Sequence, residues 1–149
     1  MNNYYSIIAP AKLNLNLFVK GKTKNGMHIL ESDICFLELA DKIFFKFSEK
    51  DIFLQRNTNE SLQIDANSNL ILESLNAFRN LTGWNKRFKI SLDKYIPIGA
   101  GLGGGSADAA ATLILLRKLF NMESKSEKIS ISDLYEIANN LGSDIPACL

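Results

Sequence analysis

The chain has 149 residues, a formal charge of +1 at neutral pH, 46% hydrophobic residues and 22% charged residues. This composition is typical of a single globular domain that can bury its own core, and the absence of a basic block argues against a nucleic-acid partner. The first residues lack a signal-peptide pattern and no apolar run reaches about 18 residues, so we expect a cytoplasmic protein with no membrane partner.

Strand patterns dominate the first half of the chain. Leu13, Leu15 and Leu17 alternate with polar residues, among them Lys12 and Asn14, which share one face of a predicted strand. An Asn-Gly turn signal at 25–26 follows. Three further strands are predicted in the segments HILESDICFLEL, KIFFKFS and DIFLQRN.

The next part of the chain predicts one helix and one strand. Apolar residues recur at helical spacing from Ile71 to Leu81, and Gly83 is a plausible end of that helix. The segment RFKISLDK returns to a period of two, with Phe88 and the apolar residues at 90 and 92 on one face.

Two more helices are predicted after a glycine-rich loop. We expect the first to begin at Ser106 as its N-cap, with Asp108 in the first turn, where a carboxylate suits the helix dipole. The second is predicted to begin at Ser132 or Asp133 and to end at Gly142, and the last residues, SDIPACL, are predicted to start a strand. Strands followed by helices indicate an α+β fold, with a mixed sheet packed against helices.

The glycine loop predicts an anion site. Five glycines lie between Gly99 and Gly105, directly before a helix, which is the arrangement that binds phosphate through backbone N–H groups. A Walker A motif is excluded because no lysine follows the last glycine. A dinucleotide fingerprint at Gly99, Gly101 and Gly104 is disfavoured because a second helix, and not a strand, follows. A purely structural glycine turn stays open as an alternative.

Four segments carry a resemblance to a known family. The segment PIGAGLGGGSADAAA resembles the second motif of the GHMP small-molecule kinases. APAKLNLNL, NGMHILES and LGSDIP resemble the first strand, the substrate loop and the catalytic-aspartate segment of the diphosphocytidyl-methylerythritol kinases within that family. The resemblance spans nearly the whole chain, and it implies the family's N-terminal domain, with a fold like domain 2 of ribosomal protein S5.

The implied reaction is transfer of the ATP γ-phosphoryl group to the 2-hydroxyl of 4-diphosphocytidyl-2-C-methyl-D-erythritol, in non-mevalonate isoprenoid precursor synthesis. By resemblance, Asp144 orients or deprotonates the acceptor hydroxyl and Lys12 supplies a cation, while Asn14 and His28 contact the substrate. ATP is the implied co-substrate, accompanied by Mg²⁺, and no residue is assigned as a metal ligand. The residues implied in ATP binding are Pro97, Ile98, Gly99, Ala100, Gly101, Leu102, Gly103, Gly104, Gly105, Ser106 and Ala107.

The chain also departs from the family pattern. Met27 stands where the family usually has tyrosine, and Ile34 occupies another aromatic position, which reduces the surface for stacking on cytosine. Family members are nearly twice as long, so residues 1–149 are expected to be the N-terminal, ATP-binding domain, incomplete at its C-terminal end, without the C-terminal domain. A separately encoded C-terminal fragment is a possible partner. Two alternatives stay open: a non-catalytic remnant that at most binds nucleotide, and a GHMP kinase acting on a different small alcohol.

Overall fold

The computed structural model describes residues 4–24, 26, 28–57, 69–125 and 127–149. Within these ranges, six strands and three α-helices are followed by one short 3₁₀ helix. In chain order they are β1 (Tyr4–Asn14), β2 (Phe18–Lys22), β3 (His28–Glu31), β4 (Ile34–Ser48), β5 (Ile52–Asn57), α1 (Leu70–Thr82), β6 (Arg87–Lys94), α2 (Gly104–Glu123), α3 (Ile131–Leu141) and the 3₁₀ helix Pro146–Cys148.

Four strands form a mixed sheet in the order β1-β4-β6-β5. Strand β4 pairs antiparallel with β1 and with β6, whereas β5 runs parallel to β6. Helix α2 packs against β1 and α1, and β2 and β3 form a separate two-stranded antiparallel arm. The predicted α+β class, with helices packed on a mixed sheet, is confirmed.

The core lies between the sheet and the helices. On β6 the residues Phe88, Ile90 and Leu92 are buried in strict alternation, as their period of two predicted. Helix α2 is buried along most of its length, which explains why its alanines and leucines show little amphipathic pattern. None of the helices in the described ranges combines the length and the apolar character needed to cross a membrane.

The first helix is bounded as its sequence predicted. The side chain of Asn69 accepts a hydrogen bond from the Ile71 N–H at 2.9 Å, which satisfies one of the free donors of the first turn. Gly83 ends the helix in the left-handed conformation, and its N–H donates to the Arg79 carbonyl. Both ends of α1 are therefore specified by local residues.

The predicted starts of the two later helices are wrong. Helix α2 begins at Gly104 after a left-handed Gly103, so Ser106 lies inside the first turn and provides no cap. Asp108 is buried and bonded to a lysine of the sheet, and it does not face the helix dipole as predicted. Helix α3 is capped by Ser130, because Asp133, three residues later, bonds back to the Ser130 N–H and completes a capping box.

Two strand predictions are also corrected. Strand β4 continues unbroken from Ile34 to Ser48, so part of one predicted strand and the whole of the next form a single element. The predicted final strand is the 3₁₀ helix, because Pro146 fixes a helix-compatible φ and has no N–H to offer a sheet.

The leucine alternation extends beyond the strand that it predicted. Strand β1 ends at Asn14, and Leu13, Leu15 and Leu17 are all exposed. The Asn25 part of the predicted turn lies outside the described residues, as does Met27.

Short polar contacts separate β3 from β4. Asn16 Oδ1 accepts the Asp33 N–H at 2.9 Å, and the Asn16 amide donates to the Asp33 carboxylate at 2.5 Å. The Ser32 hydroxyl donates to the Asn16 carbonyl. These contacts divide the segment predicted as one strand at residues 32–33, and they join the β2–β3 arm to the end of β1.

Candidate active site

The glycine loop lies between the end of β6 and the start of α2. Gly99, Gly101 and Gly103 have φ values of 77°, 72° and 63°, so left-handed residues occur at alternate positions. Left-handed residues in successive turns direct backbone N–H groups to one side, which makes a concavity suited to an anion. The backbone form of the loop is therefore compatible with the predicted anion site.

A cleft of about 170 Å³ lies against this loop. Its walls are the loop from Pro97 to Gly105, the start of α1, the end of β6 and the side chain of Asp108. No side chain caps the N-terminus of α2 at Gly103. Free N–H groups and the positive end of the helix dipole are therefore available at the edge of the cleft.

Lys12 approaches the loop from β1. Its backbone N–H donates to the Leu102 carbonyl at 2.9 Å, which attaches the loop to the strand. Its side chain runs along Gly103, where an added Cβ would lie 3.4 Å from Lys12 Cε. Lys12 is only 5% exposed, because the loop covers it.

Lys12 forms an ion pair with Asp144. Lys12 Nζ lies 3.1 Å from Asp144 Oδ2, and the Asp144 side chain is 55% exposed. Ile145 is fully buried and fixes the backbone beside Asp144, while the carboxylate faces solvent. Two residues that are far apart in the sequence thus form a buried cation and an open carboxylate at the same end of the loop.

The thiol of Cys148 belongs to the surroundings of this pair. Burial raises the pKa of Cys148, the charge of Lys12 lowers it, and the charge of Asp144 raises it further. The net shift is upward, so the thiol stays protonated at neutral pH and acts there as a neutral, partly buried group.

The two predicted substrate residues are both exposed. Asn14 is exposed at the end of β1, and the regular register from Lys12 to Asn14 places both residues on one strand face. His28 is exposed at the start of β3, opposite Lys22 in the arm. Ile34 begins β4 and is partly buried.

A buried ion triad was missed by the sequence predictions. Lys94 Nζ lies 2.5 Å from Asp41 Oδ2 and 2.7 Å from Asp108 Oδ2, and all three residues are nearly inaccessible to solvent. Burial raises the pKa of Asp108 to about 7, and Lys94 opposes that rise while Asp41 adds to it. A signal was present in the sequence. Lys94 continues the series of alternate buried residues on β6, and Asp41 is two residues before the buried Ile43, so it lies on the same face of β4.

With this geometry established, comparison with known proteins defines the class. Residues 69–149 match the family model described as the GHMP kinases N terminal domain. This match covers more than half of the chain, and the chain belongs to the GHMP kinase family. The resemblance inferred from the motifs is therefore confirmed.

Particular relatives narrow the resemblance within the family. The chain is 38% identical over 138 residues to a 4-diphosphocytidyl-2-C-methyl-D-erythritol kinase of Shewanella baltica, covering 93% of this chain and 46% of that protein. It is 40% identical to the protein of the same name from Chloroherpeton thalassium, covering 95% of this chain and 47% of that one. The chain thus spans about half the length of the curated relatives it matches.

Solved structures agree with this placement. A crystal structure of 4-(cytidine 5'-diphospho)-2C-methyl-D-erythritol kinase matches with a TM-score of 0.74 and 30% identity, covering 97% of this chain and 48% of that one. The homoserine kinase of Cytophaga hutchinsonii matches with a TM-score of 0.62 at 21% identity, covering 99% of this chain and 43% of that one, and shows the shared fold alone.

Proposed function

We propose that this chain is the nucleotide-binding half of a kinase that transfers the ATP γ-phosphoryl group to the 2-hydroxyl of 4-diphosphocytidyl-2-C-methyl-D-erythritol. The observation that carries the proposal is the 3.1 Å pair of Lys12 and Asp144 beside the glycine loop. The names of the relatives supply the acceptor. The proposal includes a cytoplasmic location and a small-molecule acceptor, with no nucleic-acid or membrane partner.

The loop and α2 bind the triphosphate in this proposal. The backbone N–H groups between Ile98 and Ser106, which include those at the uncapped N-terminus of α2, stabilise the phosphate oxygens. Within the described ranges, no three His, Cys, Asp or Glu side chains group closely enough to hold a metal ion. We therefore treat Mg²⁺ as part of the nucleotide substrate, held mainly by the phosphates themselves.

Asp144 acts on the acceptor. Its exposed carboxylate accepts a hydrogen bond from the 2-hydroxyl and orients the oxygen toward the γ-phosphorus. The proton passes to Asp144 as the new O–P bond forms and the bond to the ADP oxygen breaks. A carboxylate is a weak base for an alcohol, so this proton transfer occurs late in the step.

Lys12 has two effects in the same step. Its ammonium group holds the Asp144 carboxylate in place through their contact, and it stabilises the negative charge on the transferring phosphoryl group. Burial under the loop strengthens both effects, because little water screens the charge. Asn14 and His28, which are both exposed, are proposed to contact the polyol and the cytidine end of the acceptor.

Measuring ADP release with MgATP and the cytidyl-methylerythritol acceptor tests the proposal. We expect Asp144→Asn, which preserves shape, to reduce turnover by at least about 100-fold and to change nucleotide affinity less than twofold. Glu136→Gln, which neutralises an exposed acid on α3, is the matched control and should behave like the parent chain. Equal turnover by Asp144→Asn would remove Asp144 from the mechanism.

The chain should be assayed alone and also mixed with the part of the Shewanella baltica kinase that it does not match. Turnover in either case supports the kinase proposal. Nucleotide binding without turnover in both cases would favour the non-catalytic alternative, and turnover with another alcohol alone would favour a different acceptor. A folded chain that does not bind MgATP would contradict the phosphate role of the loop.

A further inference from the structure

The buried ion triad of Lys94, Asp41 and Asp108 connects three elements at the base of the glycine loop. Lys94 is the last residue of β6, Asp41 lies in β4 and Asp108 lies in α2. The ammonium group contacts both carboxylates, at 2.5 Å and 2.7 Å. Both chain segments that flank the loop are therefore bonded to one side chain.

Asp41 fixes the entry to the loop. Its Oδ1 atom accepts the backbone N–H of Tyr95 at 2.6 Å and that of Ile96 at 2.8 Å. Those two residues lead directly from β6 into the loop at Pro97. Because β4 is paired on both sides, with β1 and β6, it provides a rigid base for the two hydrogen bonds.

Lys94 and Asp108 fix the exit from the loop. The first residue of α2, Gly104, rests directly on the triad, since a Cβ there would lie 3.1 Å from Lys94 Nζ and 2.9 Å from Ile96 Cγ2. One turn later, Asp108 accepts the bond from Lys94. The start of α2 is thus held against the end of β6, and Lys94 and Asp108 also form part of the wall of the cleft.

The triad is a poor device for stability alone. Two carboxylates and one ammonium are buried together, and the resulting burial of charge costs free energy that apolar side chains would not. Asp108 Oδ1 is buried and has no hydrogen-bond partner among the described residues. The raised pKa of Asp108 records the same cost. The geometry at the loop supplies a different reason for the arrangement.

We propose that Lys94 is a positioning residue, which, through Asp41 and Asp108, sets the relative placement of the glycine loop and the α2 N-terminus for binding nucleotide phosphates. This inference rests on the proposed function of the loop. Lys94 acts on the loop through backbone placement, so its loss should weaken binding of the nucleotide phosphates more than binding of the nucleoside.

The test uses a variant that conserves charge. Lys94→Met combined with Asp108→Asn removes one positive and one negative charge, so the formal charge beside the loop is unchanged at about pH 8.5, where Asp108 is mostly ionised. Titration should give a dissociation constant for MgATP raised by about 10-fold or more, and one for adenosine raised by about threefold at most. Hydrogen exchange of the amides at 98–105 should also become faster than in the parent chain.

A matched control also removes one positive and one negative charge, but near the start of β6. Arg79→Gln combined with Asp51→Asn breaks an ion pair of comparable geometry away from the loop, and should leave MgATP affinity unchanged. If the Lys94 and Asp108 double variant does not fold, Lys94→Arg replaces it, since the larger, planar guanidinium keeps the charge and displaces the contacts. Lys94→Arg should likewise weaken the binding of MgATP more than the binding of adenosine.

The outcomes separate this inference from the function on which it rests. Parent-like MgATP affinity and parent-like loop exchange in the Lys94 variants would overturn the positioning role. Equal weakening of MgATP and adenosine would also overturn it, because a general loss of structure would then explain the result. If the parent chain binds no MgATP, the proposed function fails, while the exchange of the loop amides still decides whether Lys94 positions the loop.

Discussion

The two ends of β6 carry charge clusters of opposite composition. At the start of the strand, Asp51 lies between two arginines, Arg79 at 2.8 Å and Arg87 at 2.8 Å, near solvent. At its end, Lys94 lies between two aspartates, and all three side chains are almost completely buried. One cluster has an excess of cations and is open to solvent, and the other has an excess of carboxylates and is closed.

The pKa values of the two clusters diverge accordingly. Burial alone would raise the pKa of Asp51, but hydrogen bonds from Arg79, the Phe88 N–H and Arg87 outweigh it and lower the pKa to about 2. Burial raises the pKa of Asp108 to about 7 despite the nearby Lys94. The open cluster therefore stabilises the fold as an ion, whereas the closed one costs stability and is retained beside the candidate site.

Removing the central cation of the closed cluster should give the largest effect. We expect Lys94→Met to lower the free energy of unfolding by about 3–5 kcal/mol, because two buried carboxylates lose their partner. Chemical denaturation measures this, with Lys118→Met, at an exposed position on α2, as the control. A loss below about 1 kcal/mol would mean that water already reaches the triad.

Asp108→Asn should change the pH dependence of stability. The folded chain holds a proton on Asp108 up to a pKa of about 7, whereas the unfolded chain releases it near 3.8. Parent stability should therefore fall between these two pH values, and the variant should lack that component. Denaturation at a series of pH values should show the advantage of the variant growing as pH rises. A constant difference would contradict the assigned pKa shift.

Asp51→Asn, at the open cluster, should change the pH dependence of stability in the opposite direction. Asp51 contributes stability above its unfolded pKa of 3.8, and this contribution is lost as pH falls toward about 2. We expect the variant to be about 1–2 kcal/mol less stable at neutral pH, a value reduced for partial exposure, and nearly equal to the parent at low pH. Glu49→Gln, an exposed acid in the same loop, is the control.

Arg87→Gln should have the smallest effect. Its side chain is 54% exposed, so water and salt screen its bond to Asp51, and Arg79 remains in place. We expect a loss of about 0.5 kcal/mol or less, which disappears at high salt. A loss as large as that of Asp51→Asn would show that the two arginines act as one unit.

Local patterns predicted those elements whose ends are defined by their own residues. Helix α1 lies between Asn69 and Gly83 as expected, and β6 shows the expected alternation. Errors arose where a competing local partner or a longer pairing decided the outcome. Ser130, and not Ser132, caps α3 because Asp133 can bond back to it. Strand β4 is longer than predicted because it pairs with β1 and β6 along its length.

The candidate site was predictable only in part. The glycine loop could be located from composition, because few other functions need so many small residues before a helix. Lys12 and Asp144 came from the family resemblance alone, since no local pattern shows that the two ends of the chain meet. Lys94 and Asp41 both occupy inward positions of their strands, but charged residues are rarely fully buried, so these positions alone did not predict a buried triad.

The positive φ angles of the loop glycines determine the chirality of the residues that can replace them. At Gly99 and Gly101 an added Cβ would meet no atom within 4 Å, so space does not forbid a larger residue there. What forbids an L-amino acid is the sign of φ alone. A chain made by chemical ligation with D-alanine at either position should keep the loop and gain about 0.4–1 kcal/mol, because the unfolded chain loses freedom. Glycine is the residue by which ribosomal synthesis can most readily supply that mirror-image backbone.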